Sequence, residues 1–323
     1  MFKVIKKGLL TTVQDVKGRR GVTYMGFPTS GAMDDLALTI GNLLVGNDTN
    51  EAGIEYAFCG PELQFFDDAL IAVTGMQIKL LVNDVEYPMW QSIAVRKGQK
   101  LKIVPESFIG QWGYIAIAGG IDVPEYMGSK ATFTFCEIGG FKGRELMGGD
   151  EIPVGEPAPH AAEGKKLKKC YIPAVTSPMV IELMPGYYLD FLTKKDIKQI
   201  FNSNWKIEFN SSRSGYRVSG PHIEFSDKAR NKGEEAGSDP SNILDTGYPT
   251  YALNMCGDTS IILTKESVCA GGYFCPFCIP LGAQWKVGQS RIGTEIQFKL
   301  ISMEEADRLR EEVDGYLRED HYE

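Results

Sequence analysis

The chain reads as a mainly β (α+β) protein of two domains with a few peripheral helices, and three observations carry that reading. Its 323 residues suit two hydrophobic cores rather than one. Short runs that alternate apolar and polar residues between glycines fill the first half: 60–66, 70–75, 78–82, 92–104 and 113–120. Only one strong helical pattern accompanies them, so a parallel sheet with crossover helices does not fit, whereas a barrel or a sandwich does. A composition of 43% hydrophobic and 24% charged residues is that of a globular protein able to bury cores.

Taken in order, MFKVIKKGLL opens as a first strand, and the stretch 11–35 follows. This stretch places Gln14, Asp15, Arg19, Arg20, Ser30 and Asp34 among glycines that permit sharp turns and close approach. It feeds a helix on which Met33, Leu36, Ala37, Ile40, Leu43 and Leu44 keep helical spacing, with Ser30 as its expected N-cap and Gly46-Asn47 as its stop. A polar, glycine-rich loop running into a helix N-terminus suits an anionic or carbonyl-bearing small molecule; equally, its arginines can pair with its own aspartates. Asn83-Asp84 is a turn between two of the strands. The second half echoes the first in order: GPELQF in GPHIEF, Gly119-Gly120 in Gly271-Gly272, and GGDEIPV in RIGTEIQF. Those echoes suggest an old tandem duplication. The linker is GEPAPHAAEGKKLKK, whose lysines read as a solvated face, and it divides the chain into domains 1–160 and 161–323.

In the second half, SSRSGYRVSGP sets Arg213 and Arg217 around Gly215. Two guanidiniums beside a glycine turn can clamp a carboxylate or phosphate, or pair with acidic residues. Residues 227–250 read as a long polar loop. Ser302 and Glu305 form a capping box for a terminal helix expected to pack on the second domain.

Several functions are disfavoured. A net charge of −8 argues against nucleic acid or an anionic membrane as partner. No apolar run long enough to span a bilayer and no signal peptide is present, so a cytoplasmic protein with reduced thiols is expected. The three histidines stand far apart and in no ligand spacing, so no metal site is expected from them. Cys256, Cys269, Cys275 and Cys278 invite a zinc or iron–sulfur reading, but only one C-x-x-C pair exists, and buried thiols acting as small hydrophobes fit better. No Walker A, G-x-G-x-x-G or G-x-S-x-G sequence occurs.

The strings TVQDVKGRRG, GFPTSGAMD and GNLLVGN, with SSRSGYRVSGP later, together resemble the allophanate-hydrolase-subunit-2 family, also called biotin-dependent carboxyltransferase-like. The resemblance implies tandem cyclophilin-like β-barrels. It departs in the C-terminal half: of the family's A-D-R-Q-T-T-G-G-Y-P only Gly271, Gly272 and Tyr273 remain, in LTKESVCAGGYFCPF, and the family's Q-V-P segment is not recognisable. A changed substrate or a lost activity is therefore open. Members include the C-type component of prokaryotic 5-oxoprolinase, which acts with its B-type and A-type siblings to open 5-oxoproline using ATP, and the carboxyltransferase half of urea carboxylase.

The resemblance thus implies a small-molecule amide substrate, sibling subunits as partners, and ATP shared with them. No biotin-carrier A-M-K-M sequence or biotin carboxylase module is attached, which favours the 5-oxoprolinase reading. Carboxybiotin enters only under the carboxyltransferase alternative, and a non-catalytic regulator that binds the sibling protein is a third. Within the matched motifs, Gln14, Asp15 and Asp34 are expected to orient or activate the amide. Arg19, Ser30, Arg213, Gly215, Arg217, Gly271, Gly272 and Tyr273 are expected to bind substrate, with the 11–35 and 211–221 stretches meeting the same molecule.

Overall fold

The computed structural model describes residues 1–257 and 259–323. The protein is mostly β with few helices. The chain falls into two compact units. Unit 1 holds residues 1–20, 30–174 and 313–323, and unit 2 holds 21–29 and 175–312. Each unit thus takes a segment from the other half of the sequence, which no composition shift signals.

Unit 1 is built from two antiparallel sheets. One runs Glu151–Ile152, Phe2–Lys6, Glu62–Phe65, Lys100–Pro105, Ile78–Val82, Val85–Tyr87. The other runs Thr12–Gln14, Gly53–Ala57, Trp112–Ile117, Ala69–Gly75, Ser92–Val95. Alternate residues of both sheets, among them Phe2, Val4, Ile54, Leu80, Ile115 and Ile117, share one core. The strand Trp112–Ile117 is buried at every position because its other face carries the helix Asp35–Leu44. There Thr74 Oγ1 donates to the Ala37 carbonyl at 2.7 Å, and a Cβ on Gly41 would lie 3.2 Å from that of Ala116. Asn83 and Asp84 both take left-handed φ values, 47° and 63°, as a tight two-residue hairpin turn requires.

Unit 2 is a closed seven-stranded barrel: Met179–Pro185, Phe277–Cys278, Ala252–Cys256, Thr259–Leu263, Gly215–Ser219, Asn204–Ile207 and Glu295–Leu300. It closes through a parallel pairing of the first and last of these strands, Ile181 opposite Phe298. A separate two-stranded sheet, Asn242–Gly247 with Ala270–Tyr273, lies outside the barrel.

The capping box stands: Glu305 N–H donates to Ser302 Oγ, and Ser302 N–H to Glu305 Oε2 at 2.9 Å. The helix it starts, Met303–Gly315, does not belong to the second unit alone, since Val313 onward counts with unit 1. Residues 227–250 are not one loop; they hold a helical turn, Asp227–Arg230, and the strand Asn242–Gly247. Of the three internal echoes only the last pairs strand with strand, because GPHIEF is irregular and Gly271-Gly272 lies inside a strand rather than a turn. The first helix is capped by Asp34, whose Oδ1 accepts Ala37 N–H at 2.9 Å, and not by Ser30, which lies too far upstream in a left-handed conformation.

Candidate functional site

In unit 1 the predicted polar residues converge on the base of the 11–35 stretch. Gln14 is fully buried, and its side chain is bonded on both sides. Nε2 donates to Thr12 Oγ1 at 3.0 Å and to the Thr132 carbonyl at 3.1 Å, while Oε1 accepts Gly31 N–H at 3.1 Å. Asp15 accepts Gly18 N–H at 2.8 Å, Ser129 Oγ at 2.7 Å and Lys130 N–H at 2.8 Å, and its carbonyl accepts Ala32 N–H. The two ends of the 18–31 segment therefore lie against each other. A Cβ on Gly31 would meet Gly18 N at 2.9 Å, and φ of 89° already favours glycine there. The segment is an Ω-loop with a polar neck.

Arg19 is also fully buried; its Nη2 donates to the Ala131 carbonyl, and its guanidinium carbon lies 6.0 Å from the Tyr126 ring centre. Gly139 makes room for it, since a Cβ there would stand 2.2 Å from Nη2. Tyr126 and Gly139 line a cleft of about 520 Å³ with Gly140, Phe141, Lys142 and Glu125, so the guanidinium sits directly behind the wall of that cleft. Ser30 is buried at φ 54°, and its hydroxyl has no hydrogen-bond partner among the described residues.

Asp34 begins the helix beside two residues the sequence did not single out, Glu55 and Tyr114. Glu55 Oε2 accepts both Met33 N–H and the Tyr114 hydroxyl at 2.7 Å, and that hydroxyl accepts Asp34 N–H at 2.7 Å. Burial first, then the Glu55 and Asp34 charges, push the Tyr114 phenol well above its ordinary range. One signal could have found Glu55: it is the sole carboxylate in the strand GIEYA, which is buried throughout.

In unit 2, Arg213 pairs with Glu266: Nε to Oε1 is 2.6 Å, with side chains 11% and 7% exposed. The backbones join as well, Glu266 N–H to the Arg213 carbonyl at 2.9 Å. Arg217 is exposed and donates to the Asn210 carbonyl at 2.7 Å. Gly215 starts its strand where a Cβ would meet Ile261 Cγ2 at 2.8 Å. Gly271, Gly272 and Tyr273 lie apart from these arginines' strand, in the small outer sheet, where Tyr273 N–H donates to the Tyr248 hydroxyl at 2.7 Å.

Among the described residues no group of three His, Cys, Asp or Glu is placed to hold a metal ion. Cys275 packs with Ala252 and Leu263, and burial pushes its thiol up to about 12. Residues 21–29 complete unit 2. Thr29 Oγ1 donates to the Lys265 carbonyl at 3.3 Å and Cys269 Sγ to the Phe27 carbonyl at 3.4 Å. Thr23, Tyr24 and Gly26 line a cleft of about 780 Å³ with Tyr248, Cys269 and Ala270.

Comparison with known proteins places this architecture. Residues 25–300 match the model of the family "Carboxyltransferase domain, subdomain A and B". The chain belongs to that carboxyltransferase domain family. It is 35% identical to a urea amidolyase of Lachancea kluyveri over 98% of this chain and 18% of the relative. It is 30% identical to the C-type component of 5-oxoprolinase from Escherichia coli, over 99% and 97% of the two chains. The crystal structure of the K. lactis urea amidolyase superposes with a TM-score of 0.90 at 33% identity, over 98% of this chain and 20% of that one. This carboxyltransferase-domain chain therefore spans about a fifth of the length of the urea amidolyases it matches. No helix among the described residues is long and apolar enough to cross a membrane.

Proposed function

We propose that the chain is one component of an ATP-dependent amide-processing enzyme of the 5-oxoprolinase type, opening 5-oxoproline to glutamate together with sibling subunits. The observation that carries this reading is the alignment with the C-type component of 5-oxoprolinase over nearly the whole of both chains. The chemistry of the polar residues agrees with it. Arg19, behind its cleft wall, supplies positive potential suited to a substrate carboxylate. Within unit 2 the exposed Arg217 offers a guanidinium of its own, while Arg213 with Glu266 fixes the turn that presents it. Gln14 and Asp15 act by holding the loop neck, and Asp34, with Glu55 and Tyr114, by fixing the helix start, so that any charge stabilisation is preorganised. ATP is handled jointly with the partner subunits.

A second reading has its own support. The chain is more similar to the urea amidolyase than to the 5-oxoprolinase component, 35% against 30% identity. In that reading it takes a carboxyl group from carboxybiotin and passes it to an amide nitrogen. The discriminating experiment combines the purified chain with its sibling subunits. Glutamate release from 5-oxoproline that requires ATP and this chain supports the first reading. Carboxyl transfer from carboxybiotin to urea, without such release, supports the second.

A further inference from the structure

The segment that enters the barrel at Phe277–Cys278 holds one residue more than the strand beside it, Ala252–Cys256. Phe277 stands opposite Leu253 and Cys278 opposite Ala252, yet Met255 N–H donates to the Phe274 carbonyl at 3.0 Å. Residues 275 and 276 therefore face the single residue Asn254, which is a β-bulge. Without a bulge, residues three apart in a strand point to opposite faces. The extra residue cancels that. Phe274 and Phe277 share one fully buried face, and Cys275 and Cys278 share the other.

The two thiols lie in one small cluster. Cys275 is buried with Ala252 and Leu263, and Cys278 and Tyr248 pack against it. The thiols are close enough that ionising one opposes ionising the other. Two ladder steps separate their backbones, roughly 7 Å, which is the upper limit of what a disulfide spans. Closing such a bond therefore draws the bulge in. Asn254 and Tyr248 would feel it first. Asn254 Nδ2 donates to Cys275 Sγ at 3.6 Å, and the Asn254 side chain also bonds the Tyr248 hydroxyl. That hydroxyl accepts Tyr273 N–H at 2.7 Å, and a Cβ on Gly271 would lie 3.0 Å from the Tyr248 ring. Tyr248 thus joins the thiol cluster to the outer sheet that carries Gly271, Gly272 and Tyr273.

We propose that Cys275 and Cys278 form an oxidation site: a peroxide converts the pair reversibly to a disulfide, and closing that bond loosens the outer sheet through Tyr248. Cys278 is the half-buried member and reacts first. Its thiolate sulfur attacks one peroxide oxygen, the O–O bond breaks, and the leaving hydroxide takes up the proton that Cys278 shed, as water. The Cys275 sulfur, losing its own proton, then attacks the sulfur of the Cys278 sulfenic acid. The S–O bond breaks, and hydroxide leaves with that proton as a second water. Two thiols and one peroxide give one disulfide and two waters. Burial raises the pKa of both thiols, so the reaction is slow at neutral pH and quickens as the thiolate fraction grows. The bond forms or fails to form whatever reaction the protein catalyses, so this proposal and the function proposed above can fail separately.

The test uses the full chain with Cys136→Ser and Cys170→Ser, which removes the two exposed thiols. After treatment with hydrogen peroxide, remaining thiols are blocked with iodoacetamide, and tryptic peptides are mapped without reduction. Cys275 and Cys278 should be joined and unlabelled, while Cys269, on the same tryptic peptide, is labelled; dithiothreitol should return both thiols. Joining should run about ten-fold faster at pH 8 than at pH 7. Adding Cys275→Ser should stop the reaction at a dimedone-reactive sulfenic acid on Cys278. Cys278→Ser, at the less buried position, should leave Cys275 unoxidised and serves if Cys275→Ser does not fold. In the joined form the Tyr273 amide should exchange its hydrogen about ten-fold faster or more, read by NMR, as its bond to Tyr248 loosens. Three results overturn the proposal: peroxide that carries Cys278 to the sulfinic acid with Cys275 still a thiol, a disulfide from either residue to Cys256 or Cys269, or a joined form whose Tyr273 exchange is unchanged.

Discussion

The neck and the tip of the Ω-loop are close in sequence and opposite in character. At the neck Gln14 and Asp15 are buried and take six side-chain hydrogen bonds between them. At the tip Tyr24 stands almost wholly in solvent, and no charged residue lines the cleft beside it. The polar residues that look most like catalysts are thus the ones whose bonding capacity is already engaged in holding backbone. The residue with an unused face is an aromatic ring that polarity alone would pass over. Arg213 belongs with the neck, since Glu266 holds it in a buried pair.

If that contrast is right, substitutions at the neck act on stability first. Asp15→Ala should cost most, about 3–5 kcal/mol, because it strands buried donors that now bond a carboxylate; urea unfolding at neutral pH measures it. Arg213→Ala should cost about 3–5 kcal/mol by leaving Glu266 buried and unpaired, and the double change Arg213→Met with Glu266→Leu should recover most of it. Recovery would mark the pair as scaffold; a stable double variant that has lost activity would instead mark Arg213 as part of the site. Gly31→Ala should cost about 1–3 kcal/mol through its φ of 89° and the 2.9 Å approach to Gly18 N, again read from the urea midpoint.

A smaller effect lies elsewhere in unit 2. Burial raises the Asp196 carboxyl, but bonds from Glu224 N–H, the Thr193 hydroxyl and Thr193 N–H outweigh it and hold the pKa below its ordinary value of 3.8. A lowered folded-state pKa gives stability that is present above the ordinary value and is lost as pH falls through the lower one. Asp196→Asn should cost about 1 kcal/mol at neutral pH, as a lost helix cap does. It should also flatten the acid limb of a plot of urea midpoint against pH.

Much of the fold was legible because it is local. Alternation placed the strands of unit 1, the Asn83-Asp84 pair specified its turn, and Ser302 with Glu305 marked a helix start. What could not be read depends on distant partners. Ser30 looked like a cap, but Asp34 takes that role, with its N–H bonded to Tyr114, 80 residues on. Glu55 stands out as the lone carboxylate of its strand, but its partners Met33 and Tyr114 lie 22 and 59 residues away. Arg213 finds its partner, Glu266, 53 residues away, and no local pattern links the two. The loop's division between two units follows from no residue type: its ends are tied within unit 1 through Asp15 and Gln14, and its tip within unit 2 through Phe27 and Thr29.

The most direct test sets Gln14→Ala beside Tyr24→Ala, with urea unfolding measured on both. Neck as scaffold and tip as free surface predict that Gln14→Ala loses about 2–4 kcal/mol, while Tyr24→Ala stays within about 0.5 kcal/mol of the parent. A Tyr24→Ala protein destabilised as much as the Gln14→Ala protein, or a Gln14→Ala protein of unchanged stability, would contradict the account.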